Sequence, residues 1–271
     1  MSGEFGFGLE GVLARRSADL RGILNGIDDA YWNPVTDPYV PHRYDDSSLD
    51  RKTLNRAALS AECGFPAGPD WPLVGMVSRL AEQKGFDLVE QARDDLLRLD
   101  ARYVVLGSGQ QNYVAMFRRL AAEHPDRVYY RSGHDEPFAH RIEGGCDLFL
   151  MPSRYEPCGL SQLYSLRYGT PPLVREVGGL ADSVQEFDPL TRHGTGFLFQ
   201  NFDAREMTAA LRHALAIQRQ PELWRALQKN GMASDFSWRR SADGYDLLYA
   251  EARDRLASGR AVTLAAAREL F

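Results

Sequence analysis

The chain has 271 residues, with 32 Lys and Arg against 37 Asp and Glu, so its formal net charge is −5. Its length allows one large or two small domains, and its 44% hydrophobic and 25% charged residues are typical of a folded globular protein. An acidic chain with only isolated basic pairs argues against nucleic acid as a partner. No apolar run approaches the roughly 18 residues of a membrane-spanning helix, so we expect no membrane partner either.

The cysteines and histidines show no metal or disulfide pattern. Cys63, Cys146 and Cys158 are odd in number and form no CxxC pair, which indicates neither a disulfide framework nor a zinc site. The histidines form no HxxxH or HExxH pair. The N-terminal MSGEFGFGLEG lacks the basic-then-apolar pattern of a signal peptide. We therefore expect a cytoplasmic protein with reduced cysteines, no metal and no other cofactor.

The predicted elements change in character near residue 72. Before it, prolines interrupt the chain and one helix is predicted, Leu49–Cys63, capped by Ser47 or Ser48. After it, predicted strands at 73–77, 103–106, 128–130, 148–151 and 172–174 alternate with predicted helices at 86–99, 113–120, 137–145 and 160–168. Two further helices are predicted, one from Pro221 and one capped by Ser237. The alternation predicts an α/β fold, a Rossmann-like parallel sheet with flanking helices.

Ligands of an open parallel sheet bind beyond the carboxyl ends of its strands. In this sequence those ends are followed by segments 78–85, 107–109, 132–136, 152–159 and 175–180. Together they supply two cations in one loop, Arg79 and Lys84, glycine-rich turns, and predicted helix starts near Gly159 and Gly179. Cations and helix N-termini hold anions, so the combination favours a bound phosphate or diphosphate. Glu156 is a carboxylate at a strand end beside a glycine turn.

Each of these features also has a plainer interpretation. Arg79 and Lys84 would be solvated loop residues, and the turn at 107–109 would be only a turn. Glu156 would cap the following helix. Cys158 is more often a small buried hydrophobic residue than a nucleophile. The glycine pattern is neither GxxxxGK[ST] nor GxGxxG, which disfavours a P-loop ATPase and a standard NAD enzyme.

Several longer segments carry a resemblance. They are GILNGIDDAYWNP at 22–34, VSRLAEQKGFD at 77–87, PSRYEPCGLSQLYSLRYGTPPLVREVGGLADSV at 152–184, GTGFLF at 194–199 and DFSW at 235–238. Taken together, the chain resembles bacterial glycogen synthases and plant starch synthases, which are retaining glucosyltransferases of the GT-B type. The resemblance covers about residues 3–255 and corresponds to the C-terminal, donor-binding part of that family.

The resemblance implies roles for the matched residues. Arg79 and Lys84 would grip the diphosphate of ADP-glucose and stabilise the departing ADP, and Glu156 would lie close to the transferred glucose. His134 stands where these synthases often have a tyrosine that stacks on adenine, which bears on nucleotide preference. The full set of expected substrate-binding residues is Asn25, Gly107, His134, Cys158, Gly159, Leu160, Ser161, Gly178, Gly179 and Leu180.

The activity implied is transfer of glucose from ADP-glucose to the non-reducing end of an α-1,4-glucan such as glycogen, with retention and without a metal. The predicted organisation is an N-terminal-domain remnant and linker at 1–71, a nucleotide-sugar-binding domain at 72–235, a crossover helix at 236–257 and a tail at 258–271. Residues 1–71 lack the family's KxGG loop, so a separate N-terminal synthase domain is an expected partner. The alternative is a non-catalytic nucleotide-sugar-binding remnant or regulatory partner.

Overall fold

The structure, a computed structural model, describes residues 8–67 and 70–257. Within these ranges the chain forms two compact units. The larger unit spans residues 27–234, and the smaller unit combines residues up to 26 with those from 235 onward. The part of the predicted linker from Ile27 onward therefore belongs to the larger, α/β unit.

A parallel sheet forms the centre of the larger unit. In the described chain its strands are β1 (Leu73–Val77), β2 (Arg102–Gly107), β3 (Val128–Ser132), β4 (Leu148–Met151), β5 (Pro172–Arg175) and β6 (Phe197–Phe199). Their order is β3-β2-β1-β4-β5-β6, and every neighbouring pair is parallel. The predicted Rossmann-like fold is confirmed, as are the five predicted strands. The three-residue β6 was not predicted because it is too short to show a period.

Helices cover the sheet and form the smaller unit. They are α1 (Glu10–Arg15), α2 (Asp50–Glu62), α3 (Phe86–Arg98), α4 (Gln111–Glu123), α5 (Glu136–Gly145), α6 (Ser161–Arg167), α7 (Gly178–Ser183), α8 (Ala204–Gln218), α9 (Pro221–Ala233) and α10 (Trp238–Ala257). The predicted serine cap of α2 is wrong, because no side chain caps that helix. The hydroxyl of Ser48 donates instead to Asp45, at 2.6 Å.

Side chains that alternate along the strands build a core on each face of the sheet. Val74 and Val105 point to the face covered by α3, α4 and α8, whereas Leu73 and Val104 point to the face covered by α2 and α5. Strands that are buried on both faces consist almost entirely of apolar residues, so they can be predicted from continuous apolar runs in the sequence. Since helices cover both faces, a ligand must approach from an edge.

The segment that leads into α2 packs on α5 and α6. The Trp32 ring stacks between His140 and Tyr164, with ring centroids 3.8 Å apart in both pairs. Asp37 accepts hydrogen bonds from Nδ1 of His140 at 2.7 Å and from the Tyr168 hydroxyl at 2.5 Å. Burial opposes ionisation of Asp37, but these hydrogen bonds outweigh it and lower the pKa of the carboxyl. Trp32 is thereby fixed beside the carboxyl edge of the sheet.

The smaller unit consists of α1, an extended segment and α10. Gly26 lies directly against the backbone of Trp238, where a methyl group would overlap the helix start. The Ser241 hydroxyl donates to the Leu24 carbonyl at 2.8 Å, and Arg21 pairs with Glu251 at 2.7 Å. Among the described residues, no helix combines the length and apolar character needed to cross a membrane. The predicted tail, 258–271, lies outside the described residues.

Candidate functional site

The strand order reverses between β1 and β4, which makes this point of the carboxyl edge the expected binding crevice. A cavity of about 310 Å³ lies there. Three strand ends, the helices α5 and α6, and the preceding segment all contribute to its lining, which consists of Trp32, Val77, Ser78, Arg79, Leu106, Gly107, Ser108, Gly133, His134, Glu136, Ala139, Glu143, Ser161 and Tyr164.

Four of the predicted site residues line this cavity: Arg79, Gly107, His134 and Ser161. Arg79 and His134 are exposed, so their side chains are available to a ligand. Arg79 is steadied by Gln83, whose Oε1 accepts from Nη2 at 3.4 Å. Gly107 is buried, and a methyl group there would overlap the carbonyl oxygen of Ser78. Glycine at 107 therefore lets the loops after β1 and β2 meet.

A second group of predicted residues centres on an ion pair between Lys84 and Glu156. Nζ of Lys84 lies 2.5 Å from Oε2 of Glu156, and the two side chains are only 16% and 8% exposed. The Ser153 hydroxyl donates to the same carboxylate oxygen at 3.2 Å. An ammonium group has three N–H donors, and Glu156 accepts one. The pair thus joins the loops after β1 and β4 and concentrates charge at the crevice.

Gly85 makes this pairing possible. Its φ of 76° lies in the left-handed region, and a methyl group at this position would overlap the carbonyl oxygen of Pro152. The two loops are also joined by the backbone, since the Arg154 N–H donates to the Gln83 carbonyl at 2.8 Å. Lys84 is therefore held against the loop that carries Glu156.

The glycines that start α7 lie against the loop 156–159. The Gly179 N–H donates to the Glu156 carbonyl at 2.9 Å. Gly178 has φ 50°, and a methyl group there would overlap the same carbonyl oxygen, while one at Gly179 would overlap the backbone of Cys158. The structure therefore brings Gly178 and Gly179 together with Glu156 and Cys158, as the sequence predicts.

Gln162 supports the loop 156–159 from its buried side. The residue is fully buried, and its Nε2 donates to the carbonyls of Cys158 at 3.0 Å and Gly159 at 3.1 Å, and to the Ser183 hydroxyl at 3.1 Å. Ser183 in turn donates to the Gly179 carbonyl at 2.6 Å. One amide therefore fastens both glycine-containing loops of the site.

Three other predicted residues differ in their surroundings. The Leu160 side chain is 39% exposed beside the start of α6, whereas Leu180 is fully buried in the core, so only its backbone can contact a ligand. Asn25 lies in the smaller unit, exposed and outside regular secondary structure.

Sequence reasoning missed several residues of the site. Trp32, Glu143 and Tyr164 line the cavity, and Gln162 supports it. Trp32 and Tyr164 lie within segments that carry the resemblance, so a signal existed, whereas nothing in the local sequence sets Glu143 apart. Across residues 8–67 and 70–257, no three His, Cys, Asp or Glu side chains come together in a way that could hold a metal ion.

Comparison with known proteins assigns a family to this fold and site. The sequence profile described as "Glycosyl transferases group 1" matches residues 66–233. The chain therefore belongs to the group 1 glycosyltransferases, whose domain here is the Rossmann-like sheet with its cavity.

Two relatives that match 90% or more of this chain are glycogen synthases. Glycogen synthase 1 of Methylococcus capsulatus is 52% identical over 252 residues, which is 92% of this chain and 51% of the relative. Glycogen synthase of Anaeromyxobacter sp. (strain Fw109-5) is 53% identical over 244 residues, 90% of this chain and 51% of the relative. The catalytic domain of starch synthase IV from Arabidopsis thaliana, solved with ADP and acarbose, has a TM-score of 0.86 at 37% identity, covering 94% of this chain and 53% of that one. The chain thus spans about half the length of the relatives it matches.

Proposed function

We propose that this chain is the donor-binding half of a glycogen synthase, with ADP-glucose as its donor and an α-1,4-glucan as its acceptor. The observation that carries the proposal is the 2.5 Å ion pair between Lys84 and Glu156, which joins the loops after β1 and β4. Arg79 belongs to the same loop as Lys84 and lines the cavity. Two cations in one loop, one of them paired with a carboxylate, suit a sugar diphosphate: the cations would meet the phosphates, and the carboxylate would meet the sugar. The starch synthase IV catalytic domain, bound to ADP and acarbose, supports this choice of ligands.

Each group would have a distinct task. The guanidinium of Arg79 binds the diphosphate as a fork, and the Lys84 ammonium stabilises the charge that grows on it as the sugar leaves. Glu156 lies beside the glucose and stabilises positive charge that develops at its anomeric carbon. The backbone around Gly178 and Gly179 closes over the sugar. His134, at the cavity mouth, stacks on the adenine ring. Because Arg79 and Lys84 would neutralise the negative charge of the leaving diphosphate, we propose a reaction without a metal or other cofactor.

The reaction proceeds on one face of the sugar. The acceptor 4-hydroxyl oxygen forms a bond to the anomeric carbon while the bond from that carbon to the diphosphate oxygen breaks. The proton of the 4-hydroxyl passes to the departing diphosphate, so the products are ADP and a glucan longer by one residue. Attack from the side of the leaving group retains the anomeric configuration. Arg79 and Lys84 hold both the charge and the oxygen that receives the proton.

The acceptor site and the second wall of the cleft would come from the other half of the full-length enzyme. Positioning both substrates can contribute about 7–11 kcal/mol to catalysis, so we propose that turnover needs an N-terminal synthase domain beside this one. Cys63 and Cys146 are buried free thiols, which suits the reducing cytoplasm that we propose as the location of the protein.

The test is isothermal titration of the chain with ADP and ADP-glucose. We expect both to bind, and Arg79→Ala to weaken both by at least 10-fold, since a charge-assisted pair contributes about 1.5–3 kcal/mol. Arg98→Ala is the matched control, because Arg98 is an exposed arginine at the end of α3 that pairs with Asp95. Absence of binding, or equal effects of the two substitutions, would contradict the proposal.

A further inference from the structure

Glu143 is a carboxyl group in the wall of the cavity for which the proposed reaction has no use. It is 2% exposed and lines the cavity with Trp32 and Tyr164. In the described part of the chain its Oε2 has no hydrogen-bond partner. Leaving a buried polar atom unpaired destabilises the folded chain. A ligand hydroxyl that hydrogen-bonds to this carboxyl group would recover part of that free energy on binding.

Lys52, whose charge acts on this carboxyl group, donates hydrogen bonds to other atoms. Nζ of Lys52 donates to the backbone carbonyls of Glu143 and Gly144, both at 3.0 Å, and to Oγ1 of Thr170 at 2.7 Å. Burial raises the pKa of Glu143 well above its usual range, and the charge of Lys52 only partly opposes this. In its protonated form the carboxyl offers one O–H donor and one carbonyl acceptor.

Its position along the cavity indicates which part of a nucleotide it meets. Glu136, Ala139 and Glu143 line the cavity from one face of α5 at helical spacing. Glu136 lies two residues after His134, and Glu143 stands two turns further, roughly 10 Å along the axis. That distance is close to the span of a nucleoside from its base to the far hydroxyls of its ribose.

We propose that Glu143 binds the ribose of the donor nucleotide through its 2′- and 3′-hydroxyls and thereby selects ribonucleotides over 2′-deoxyribonucleotides. The inference rests on the proposed function, in which the base stacks on His134 and the diphosphate lies at Arg79. The ribose joins these two groups, so it lies along the wall that α5 and α6 form. Each hydroxyl of a vicinal diol both donates and accepts, which matches a neutral carboxyl.

The experiment is titration of the chain with ADP and with 2′-deoxy-ADP. We expect the unaltered chain to bind 2′-deoxy-ADP about 5-fold more weakly than ADP, the size of one neutral hydrogen bond. Glu143→Leu should bind both nucleotides alike, because it removes both hydrogen-bonding atoms. Glu143→Gln should keep most of the preference, because an amide also donates and accepts.

Two other results would overturn the inference. One is that the Glu143→Leu variant binds 2′-deoxy-ADP more weakly than ADP by the same factor as the unaltered chain does. The other is a Glu143→Leu variant in which the ratio of the ADP and GDP affinities differs from that of the unaltered chain, while ribose and deoxyribose are still distinguished; that result would place the base at Glu143. Thermal melting checks folding, and Glu143→Met, which keeps the length of the side chain without its hydrogen-bonding oxygens, repeats the test if the leucine variant is unstable. Failure of the unaltered chain to bind ADP at all would instead contradict the proposed function.

Discussion

Replacement of Gly85 by alanine tests how the two halves of the crevice are held together. Gly85 has φ 76° and lies against the Pro152 carbonyl, so alanine there is both strained and crowded. The left-handed conformation costs about 1–2 kcal/mol and overpacking about 1–3 kcal/mol, so we expect a loss of about 2–5 kcal/mol in the free energy of unfolding. For a unit of this size that corresponds to a melting temperature lower by about 5–15 °C. Displacement of Pro152 would also separate Lys84 from Glu156.

Gly64 provides the matched control. Its φ is 69°, yet no atom lies within 4 Å of the position that a methyl group would take. Gly64→Ala should therefore lose only the conformational part, about 1–2 kcal/mol, and keep ADP binding. Differential scanning calorimetry gives the two melting temperatures, and titration gives the two ADP affinities. Equal losses of stability in the two variants, with ADP binding intact in both, would refute the steric reasoning.

Three further predictions concern side chains. Lys84→Met should lower the free energy of unfolding by about 3 kcal/mol, the low end for a buried ion pair, because it leaves the nearly buried Glu156 carboxylate without its cation. The double variant with Glu156→Leu should recover part of this loss in urea denaturation, and strictly additive losses would contradict the coupling. Gln162→Leu removes the side-chain hydrogen bonds to the loop 156–160, so backbone amide hydrogen exchange should become faster in that loop but not in α3. Unchanged exchange in the loop would show that the Gln162 side chain is not needed to hold it. Burial lowers the pKa of Lys52 to about 8, so the unfolded chain binds more protons than the folded chain between pH 8 and 10.5. The free energy of unfolding of the unaltered chain, relative to that of Lys52→Met, should therefore rise with pH across that window. A fall with pH would contradict the lowered pKa.

The sequence predicts the larger unit well because its strands are buried on both faces. Runs such as 73–77 and 148–151 are short, apolar and bounded by turn residues, and amphipathic stretches of helical period separate them. The carboxyl ends of those strands then lie at one edge, so the sequence alone places Arg79, Lys84 and Glu156 near one another. The paired loops confirm that placement for Lys84 and Glu156.

Long-range contacts account for what the sequence could not show. The prolines before α2 suggest an irregular segment, yet Trp32 stacks between two rings from α5 and α6, and Asp37 bonds to His140, 103 positions away. Serine before α2 is a good capping residue, but Ser48 bonds to Asp45 instead. Glu143 looks like any helical glutamate, and only the packing around α5 shows that it lies buried in the cavity wall.

The central claim is that Arg79, Lys84 and Glu156 form the donor site of a glucosyltransferase, and a chimera tests it most directly. Residues 3–255 would replace the matching half of Methylococcus capsulatus glycogen synthase 1, and transfer of radiolabelled glucose from ADP-glucose to glycogen would be measured. We expect an active chimera whose rate falls at least 100-fold with Arg79→Ala or with Glu156→Gln, but not with Arg98→Ala. A folded chimera that transfers glucose equally well with and without Arg79 and Glu156 would contradict the account.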